Sequence, residues 1–266
     1  MIEVVEATSA DNLADLRRGY LASLTAPLDG MWEAFAAMSR QLEIRSAGER
    51  AGYVSLNDAG QLLQFHVAAP FESAAAKLFA TVVARDEVKG AMVSTADPLF
   101  LGLCLDVQKA LRVHTFLYRD HHRGKVALEG GAEASFDVVE SSELEAIAEL
   151  QRDSLDQDPG DWLVGYLERL IGRRELYALR LEGEILGTGE ARVSETQPPF
   201  VDLGVITVRR HRGQGVAPHV LGRLKQRCYE RELVPICSTT VENAWARRAI
   251  AKAGFVSGHR ILEVGF

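Results

Sequence analysis

The chain has 266 residues, of which 47% are hydrophobic and 25% are charged, and its formal net charge at pH 7 is −7. This length suits one or two domains with a sizeable core, and the negative balance disfavours a nucleic-acid partner, whose binding needs clustered positive charge. The three cysteines form no CxxC pair and no stretch is long and apolar enough to span a bilayer, so we expect a cytoplasmic protein with reduced thiols, no metal site and no membrane partner.

The N-terminal half alternates strand and helix patterns. Strands are predicted over 2–6, 42–44, 51–56, 62–68, 90–94 and 113–119, and helices from about residue 10 and over 30–40, 71–85 and 98–110. The segment Asn57–Gly60 predicts a hairpin turn. The small, glycine-bearing segment 130–135 is predicted to link a domain over 1–129 to a second domain over 136–266.

The C-terminal half repeats the same order of elements. Strands are predicted over 136–139, 175–182, 185–193, 201–208, 233–240 and 255–266, and helices from residue 141, over 161–171, from about 217 to 232 and between 243 and 254. The repetition predicts an α/β fold class with mixed sheets, in which tandem domains each have a central β-sheet flanked by helices.

The stretch from residue 201 to 217 predicts a cradle for an anion. An apolar strand over 201–208 leads into a basic turn with Gly213 and Gly215, and a helix follows. The first amides of a helix have no partner inside it and favour a phosphate, so we expect the amides of residues 212–217 to be unpaired and aimed at a diphosphate. A Walker A loop is excluded because no Lys-Ser or Lys-Thr follows the glycines, and a dinucleotide fingerprint would need glycine at Pro218.

A second pattern lies close behind the cradle. Residues 243–255 read as a helix with Asn243 as N-cap and Gly254 as its left-handed end. The cradle reads Arg-x-x-Gly-x-Gly over 210–215 and Arg-x-x-Gly-x-Ala over 212–217. Together, these two motifs resemble the signature of the GNAT superfamily of acetyl-CoA-dependent N-acetyltransferases, and the resemblance covers roughly residues 136–266.

The resemblance implies acetyl-CoA as co-substrate, with its diphosphate on the cradle. It also implies that the strand over 201–208 diverges from the next strand. The amide of Ile206 would polarise the thioester carbonyl, and the amide of Val208 would hold the pantetheine arm. The implied binding residues are Ile206, Thr207, Val208, Arg210, Arg212, Gly213, Gln214, Gly215, Val216, Ala217 and Asn243.

Two carboxylates are candidates for the general base that frees the acceptor amine. Asp202 interrupts the apolar strand, and Gly204 is expected to leave open space beside it on the same face. The alternative for Asp202 is a strand-end residue bonded to a backbone amide or to an arginine. Glu190 is the second candidate, although a simple surface ion pair with Arg192, which lies on the same face, explains it better.

The general acid has no clear candidate. Ile250 stands where many family members have a tyrosine, which puts the catalytic details in doubt but not the CoA site. Protonation of a thiol leaving group helps without being essential, because its pKa is about 8.5. Four polar residues lie on nearby predicted strands, and the sequence does not choose among Ser238, Thr239, Thr240 and His259.

The N-terminal half departs from the motif, since residues 69–73 contain no glycine pair and no arginine. We expect either a degenerate GNAT-like domain that helps to shape the acceptor pocket, or an unrelated α/β cap. Only one strand is predicted over 255–266, where the family usually has two. We therefore expect the N-terminal half or a second subunit to cover that edge.

These features predict an N-acetyltransferase that moves an acetyl group to a primary amine by direct attack, without a covalent enzyme intermediate. The acceptor would be a small molecule or a peptide, and the protein a monomer or a homodimer. One alternative is a non-catalytic acyl-CoA-binding sensor or subunit, and another is an enzyme for longer acyl chains.

Overall fold

The computed structural model describes residues 1–7, 11–124, 128, 134–155 and 160–266. They form two packing units, one of Met1–Leu117 with His259–Phe266 and one of Tyr118–Gly258. The division at 117/118 differs from the predicted boundary between 129 and 136. That boundary stays a prediction, because most of the expected linker lies outside the described residues, as does the expected start of the first helix at about residue 10.

The first unit takes up the N-terminal half. In chain order it contains β1 (Ile2–Glu6), α1 (Ala14–Ser23), α2 (Gly30–Met38), β2 (Arg40–Ser46), β3 (Glu49–Leu56), β4 (Gln61–Val67), α3 (Ala75–Val83), β5 (Gly90–Ser94) and α4 (Pro98–Val107), and β6 (Ala110–Asp120) runs across the boundary. The predicted helix over 98–110 ends early because Gln108 is extended, and the predicted helix over 71–85 begins as a 3-10 helix at Ala69–Ala74.

The second unit keeps the predicted order with shifts of one to three residues at the element ends. It contains β7 (Ser135–Val138), α5 (Leu144–Ser154), α6 (Trp162–Gly172), β8 (Leu176–Leu181), β9 (Glu184–Val193), β10 (Phe200–Thr207), α7 (Val216–Glu230), β11 (Val234–Thr240), α8 (Ala244–Lys252) and the start of β12 (Phe255–Gly265). Within the described ranges, no helix is both long enough and apolar enough to cross a membrane.

The sheet of the first unit has the order β1-β2-β3-β4-β5-β12. Its neighbouring strands are antiparallel except β4 and β5, which pair in parallel. The end of β12, Ile261–Gly265, pairs with β5 over Gly90–Ser94. The expectation that the N-terminal half covers this strand is confirmed, because β5 supplies its neighbour.

The sheet of the second unit places helices on opposite faces of β9. Gly189 lies under α7 so closely that a Cβ atom there would be 2.6 Å from Val220 Cγ1. Side chains alternate along a strand, so Thr188 and Glu190 face the other way. There, Gln151 of α5 donates from Nε2 to Thr188 Oγ1 at 3.0 Å, and Tyr166 of α6 donates to Glu190. The face under α5 and α6 therefore carries the polar residues.

One buried carboxyl group of the first unit has a consequence for stability. Asp97 is 4% exposed and caps α4 by accepting a hydrogen bond from the Phe100 amide at 3.2 Å. Burial raises the pKa of Asp97 from 3.8 to about 6. The pKa of Asp97 is therefore higher in the folded protein than in the unfolded chain. The contribution of Asp97 to stability is fully present below the unfolded pKa and is lost as pH rises through the folded pKa.

We expect Asp97→Asn to stabilise the protein at pH 7.5 by an amount on the order of 1–3 kcal/mol, because asparagine keeps the cap and removes the buried charge. The two proteins should have similar unfolding free energies at pH 4 and diverge between about pH 4 and 6. Urea unfolding across this range measures the difference, with the exposed Asp86→Asn as control. A variant that is less stable than wild type at pH 7.5 would contradict the expectation.

Candidate functional site

Strands β10 and β11 separate part of the way along their length. Their parallel pairing joins Phe200–Asp202 to Val234–Ile236 and ends there, while β10 continues to Thr207 paired only with β9 on its other edge. Among the described residues, the edge of β10 beyond Asp202 has no strand partner. The expected divergence is therefore present, and it exposes backbone amides and carbonyls in a gap.

The amides that face this gap differ by one residue from the expected ones. The Val208 amide donates to the Leu186 carbonyl at 3.0 Å, so it is not free, and that expectation is wrong. Because an antiparallel ladder alternates, Ile206 also directs its amide at β9, whereas Val205 and Thr207 direct theirs at the gap. The sequence predicts the strand, but it does not predict which of its amides point towards β9 and which point towards the gap.

The turn between β10 and α7 forms a row of unpaired amides. Gly213 and Gly215 have φ values of +81° and +78°, in the left-handed region that glycine adopts without strain. Within the described ranges, the amides of residues 213–217 are hydrogen-bonded to no protein acceptor. The Arg212 amide donates to the Arg209 carbonyl at 3.3 Å. The cradle is thus one amide shorter than predicted at its start.

The arginines of the turn contact protein acceptors. Arg212 donates to the Ser154 carbonyl at 2.5 Å, and Arg209 donates to the carbonyls of Asp153 and Leu155 at 3.1 and 3.0 Å. These carbonyls end α5, where the helix dipole favours positive charge. The sequence pattern assigned Arg212 to the phosphate and did not single out Arg209, whose guanidinium helps to hold the turn against α5.

The other expected phosphate ligands are also engaged at the surface. Arg210 contacts Glu184 at 2.6 Å, and Gln214 donates from Nε2 to the Arg210 carbonyl at 3.1 Å. His211, which was not among the expected ligands, also contacts Glu184, at 2.8 Å. The cradle is therefore formed by backbone amides rather than by arginine side chains. Beside it lies an open groove of about 660 Å³, lined by Ala146, Glu149, Leu150, Asp153, Ser154, Val208, Arg209 and Arg210.

Four polar side chains form a connected network on the face under α5 and α6. The Tyr166 hydroxyl donates to Glu190 Oε2 at 2.6 Å, Arg192 Nη1 donates to the Tyr166 oxygen at 2.9 Å, and Arg192 Nη2 donates to Asp202 Oδ2 at 2.6 Å. Burial and the adjacent Glu190 charge raise the pKa of Tyr166 well above its ordinary value, so the phenol keeps its proton. Sequence reasoning did not identify Tyr166.

The network changes the roles expected of the two carboxylates. Asp202 is 3% exposed and paired with Arg192, as the alternative for that residue proposed. The expected ion pair of Glu190 with Arg192 is present at 3.8 Å, but the Glu190 side chain is only 11% exposed, so the pair does not lie at the surface. A Cβ atom on Gly204 would be 3.1 Å from Glu190 Oε2. The space over Gly204 is therefore occupied by Glu190 and does not lie open beside Asp202.

The remaining candidates lie in structural contacts. Ile250 is buried, and His259 lies in the first unit with its Nδ1 atom 3.2 Å from Thr95 Oγ1. Asn243 caps α8 by accepting a hydrogen bond from the Ala246 amide at 3.0 Å, as predicted.

The first unit keeps one part of this arrangement. Its parallel pairing of β4 with β5 also stops early, after Gln61 and Leu62. The chain after β4 then forms the 3-10 helix Ala69–Ala74, and the Phe71 amide donates to the Ala68 carbonyl at 2.8 Å. This half therefore has diverging strands without a glycine-built cradle.

Comparisons with known proteins agree with this architecture. A family model described as "Acetyltransferase (GNAT) domain" matches residues 9–121, and one described as "Acetyltransferase (GNAT) family" matches residues 142–255. Both halves are therefore GNAT domains in tandem, and the alternative of an unrelated N-terminal cap is wrong. No curated protein matches the chain.

Solved structures extend the similarity over the whole chain. An acetyltransferase of the GNAT family from Colwellia psychrerythraea is 31% identical, with 99% of each chain covered and a TM-score of 0.92. A GCN5-related N-acetyltransferase from Sphaerobacter thermophilus is 16% identical over 99% of this chain and 95% of that chain, with a TM-score of 0.65. A tandem GNAT protein from the clavulanic acid biosynthesis pathway is 13% identical over 100% and 98%, with a TM-score of 0.64.

Proposed function

Because the chain belongs to the GNAT family of acetyltransferases, we propose that its second unit transfers an acetyl group from acetyl-CoA to a primary amine by direct attack. The observation that carries this proposal is the row of amides at residues 213–217, which lack a protein acceptor within the described ranges and follow directly on the open edge of β10. The first unit, whose described residues after β4 form a 3-10 helix without a glycine-built cradle, is not the catalytic one in this proposal.

The residues present fit acetyl-CoA. The amides of 213–217 and the positive end of α7 suit a diphosphate, and Gly213 has open space where a side chain would stand. The amides of Val205 and Thr207 face the gap. They would bind the thioester carbonyl and the pantetheine arm, the two roles that the resemblance gave to Ile206 and Val208.

Glu190 accepts the amine proton in the proposed mechanism. A primary amine with a pKa near 10.4 is charged at pH 7, and freeing its lone pair costs about 4–5 kcal/mol. As Glu190 accepts the proton, directly or through a water, the amine nitrogen forms a bond to the carbonyl carbon. The carbon–sulfur bond then breaks, and the sulfur leaves with the electron pair and takes up the second proton that the nitrogen loses, which gives the neutral amide and the free thiol of CoA. No enzyme atom becomes acetylated.

The charge of the network supports a cationic acceptor. Arg192 is the one cation in the network, and it stands with two carboxylates, Asp202 and Glu190, so that the group as a whole has a formal charge of −1. Oε2 of Glu190 is hydrogen-bonded, whereas Oε1 has no hydrogen-bond partner among the described residues. A partly buried carboxylate oxygen of this kind attracts an ammonium group.

We expect Gly204→Ala to lower kcat by roughly tenfold, because the added Cβ would displace the Glu190 carboxylate by a few tenths of an ångström. The Kd of CoA should change by less than about twofold. Acetyl transfer followed by thiol release, together with calorimetric CoA titration, measures both quantities. Gly172→Ala is a matched control, because a Cβ there meets nothing within 4 Å. Equal losses in the two variants would contradict the expectation.

The direct test is to mix the protein with acetyl-CoA and a panel of small amines and amino-terminal peptides, and to follow free thiol. We expect release that depends on the amine.

Ile250, which stands in place of the family's tyrosine, favours a second candidate, a non-catalytic acyl-CoA-binding protein. Thermal stabilisation by CoA without thiol release for any amine would support that candidate instead.

A further inference from the structure

We propose that Tyr166 is a positioning residue that fixes the Glu190 carboxylate, so that Oε1 alone is left to receive the proton of the acceptor. This inference rests on the proposed function, since it names a residue that acts through the proposed base. Tyr166 lies on α6, outside the cradle and outside β10.

The direction of the Tyr166–Glu190 hydrogen bond is fixed by its neighbours. Arg192 has only donors, and it donates to the Tyr166 oxygen at 2.9 Å. The single hydroxyl proton of Tyr166 is therefore directed at Glu190 Oε2, 2.6 Å away. Such a short bond from a neutral donor to a carboxylate is charge-assisted and strong.

Tyr166 also separates Glu190 from Arg192. The closest distance between Arg192 Nη1 and Glu190 Oε2 is 3.8 Å, which is too long for a hydrogen bond, while the other end of the guanidinium contacts Asp202 at 2.6 Å. A hydrogen bond from the guanidinium, in place of this longer ion pair, would make Glu190 a weaker base. Asp202 thus holds the arginine, and the arginine holds the tyrosine.

The Tyr166 ring itself is held in place. Trp162, one turn earlier on α6, packs edge-on against it with ring centroids 5.3 Å apart, and the Arg169 guanidinium lies 5.9 Å from the ring centre. The helix therefore presents the hydroxyl from a fixed ring. A hydroxyl that drifted by about an ångström would lose the hydrogen bond, and with it the orientation of the carboxylate.

The inference predicts a specific change in Tyr166→Phe. Loss of a donor to the ionised form disfavours that form of a carboxylic acid, so the Glu190 signal should titrate at higher pH in Tyr166→Phe than in wild type. Titration of protein labelled with carboxyl-13C glutamate follows Glu190 directly by NMR, and Glu190→Gln identifies its signal. Tyr177→Phe is the control, because Tyr177 is a buried tyrosine that stacks on Phe136 at 5.3 Å and pairs with Gly189, not with Glu190, between β8 and β9.

A second arm keeps the hydroxyl and changes its strength as a donor instead. Replacing the tyrosines with 3-fluorotyrosine makes the phenol a stronger donor and should lower the Glu190 pKa. In activity assays, the acid limb of kcat/KM should move in the same direction as the titration in each protein. A Glu190 signal that titrates at the same pH in wild type, Tyr166→Phe and the fluorinated protein would overturn the inference.

The two proposals fail separately. The NMR titration needs no acceptor, so an unmoved Glu190 in a protein that acetylates amines would overturn the role of Tyr166 and leave acetyl transfer standing. A shifted Glu190 in a protein that releases no thiol with any amine would overturn the proposed function instead. As a further check, adding Tyr166→Phe to Glu190→Gln should change kcat by less than about twofold, because residues that act as a unit are not additive.

Discussion

Glu190→Gln is expected to lower kcat for acetyl transfer by about 10²–10⁴-fold, the range that general-base catalysis typically contributes. Glutamine keeps the shape of the side chain, and its carbonyl oxygen still accepts the Tyr166 hydrogen bond, but it cannot take a proton from an ammonium ion. Since Glu190 lies on the face under α6 and not in the turn at 213–217, the Kd of CoA should stay within about twofold. Stopped-flow thiol release and CoA titration give the two values.

Asp202→Asn tests which of the two carboxylates, Asp202 or Glu190, acts as the base. This change removes the carboxylate that Arg192 contacts at 2.6 Å, and breaking a largely buried pair of this kind destabilises proteins by about 3 kcal/mol. We therefore expect a lower unfolding free energy and a smaller loss of kcat than in Glu190→Gln. A stably folded Asp202→Asn with no turnover, beside an active Glu190→Gln, would return the role of base to Asp202.

Local sequence signals were sufficient for much of this structure. Gly213 and Gly215 mark a turn with positive φ, and Asn243 and Gly254 mark the two ends of α8, because each of these choices depends only on residues within one helical turn. The same holds for the order of strands and helices, which follows from hydrophobic spacing. The position of the cradle in the chain can therefore be predicted from the sequence.

The contacts that decide the chemistry are long-range and could not be read in this way. Tyr166 is 24 residues from Glu190 in the chain, and nothing in its own helix distinguishes it from an ordinary core aromatic. The pairing of Asp202 with Arg192 depends on the register of β9 against β10. Spacing gives the face on which a strand residue lies, but it gives neither its partner nor the edge to which its amide points.

Gly213→Asp is expected to weaken CoA binding by about 100-fold, which corresponds to roughly 2.7 kcal/mol. Aspartate tolerates a left-handed backbone, so the fold at φ +81° should be kept. Its carboxylate would stand in open space beside the unpaired amides, where the diphosphate is proposed to bind. Two like charges about 4 Å apart at a protein surface repel by about 4 kcal/mol. The loss should shrink as salt is raised, because exposed charges are screened.

Gly48→Asp is the matched control for this change. Gly48 has φ +88°, a Cβ atom added there would meet nothing within 4 Å, and the residue lies in the turn between β2 and β3 of the first unit. It therefore undergoes the same change in charge and backbone preference without the neighbouring amides. Calorimetric titration of CoA should give a wild-type Kd for Gly48→Asp and a strongly raised, salt-dependent Kd for Gly213→Asp. Equal affinities in the two variants would place the diphosphate away from residues 213–217, and the proposed acetyl transfer in the second unit would lose its physical basis.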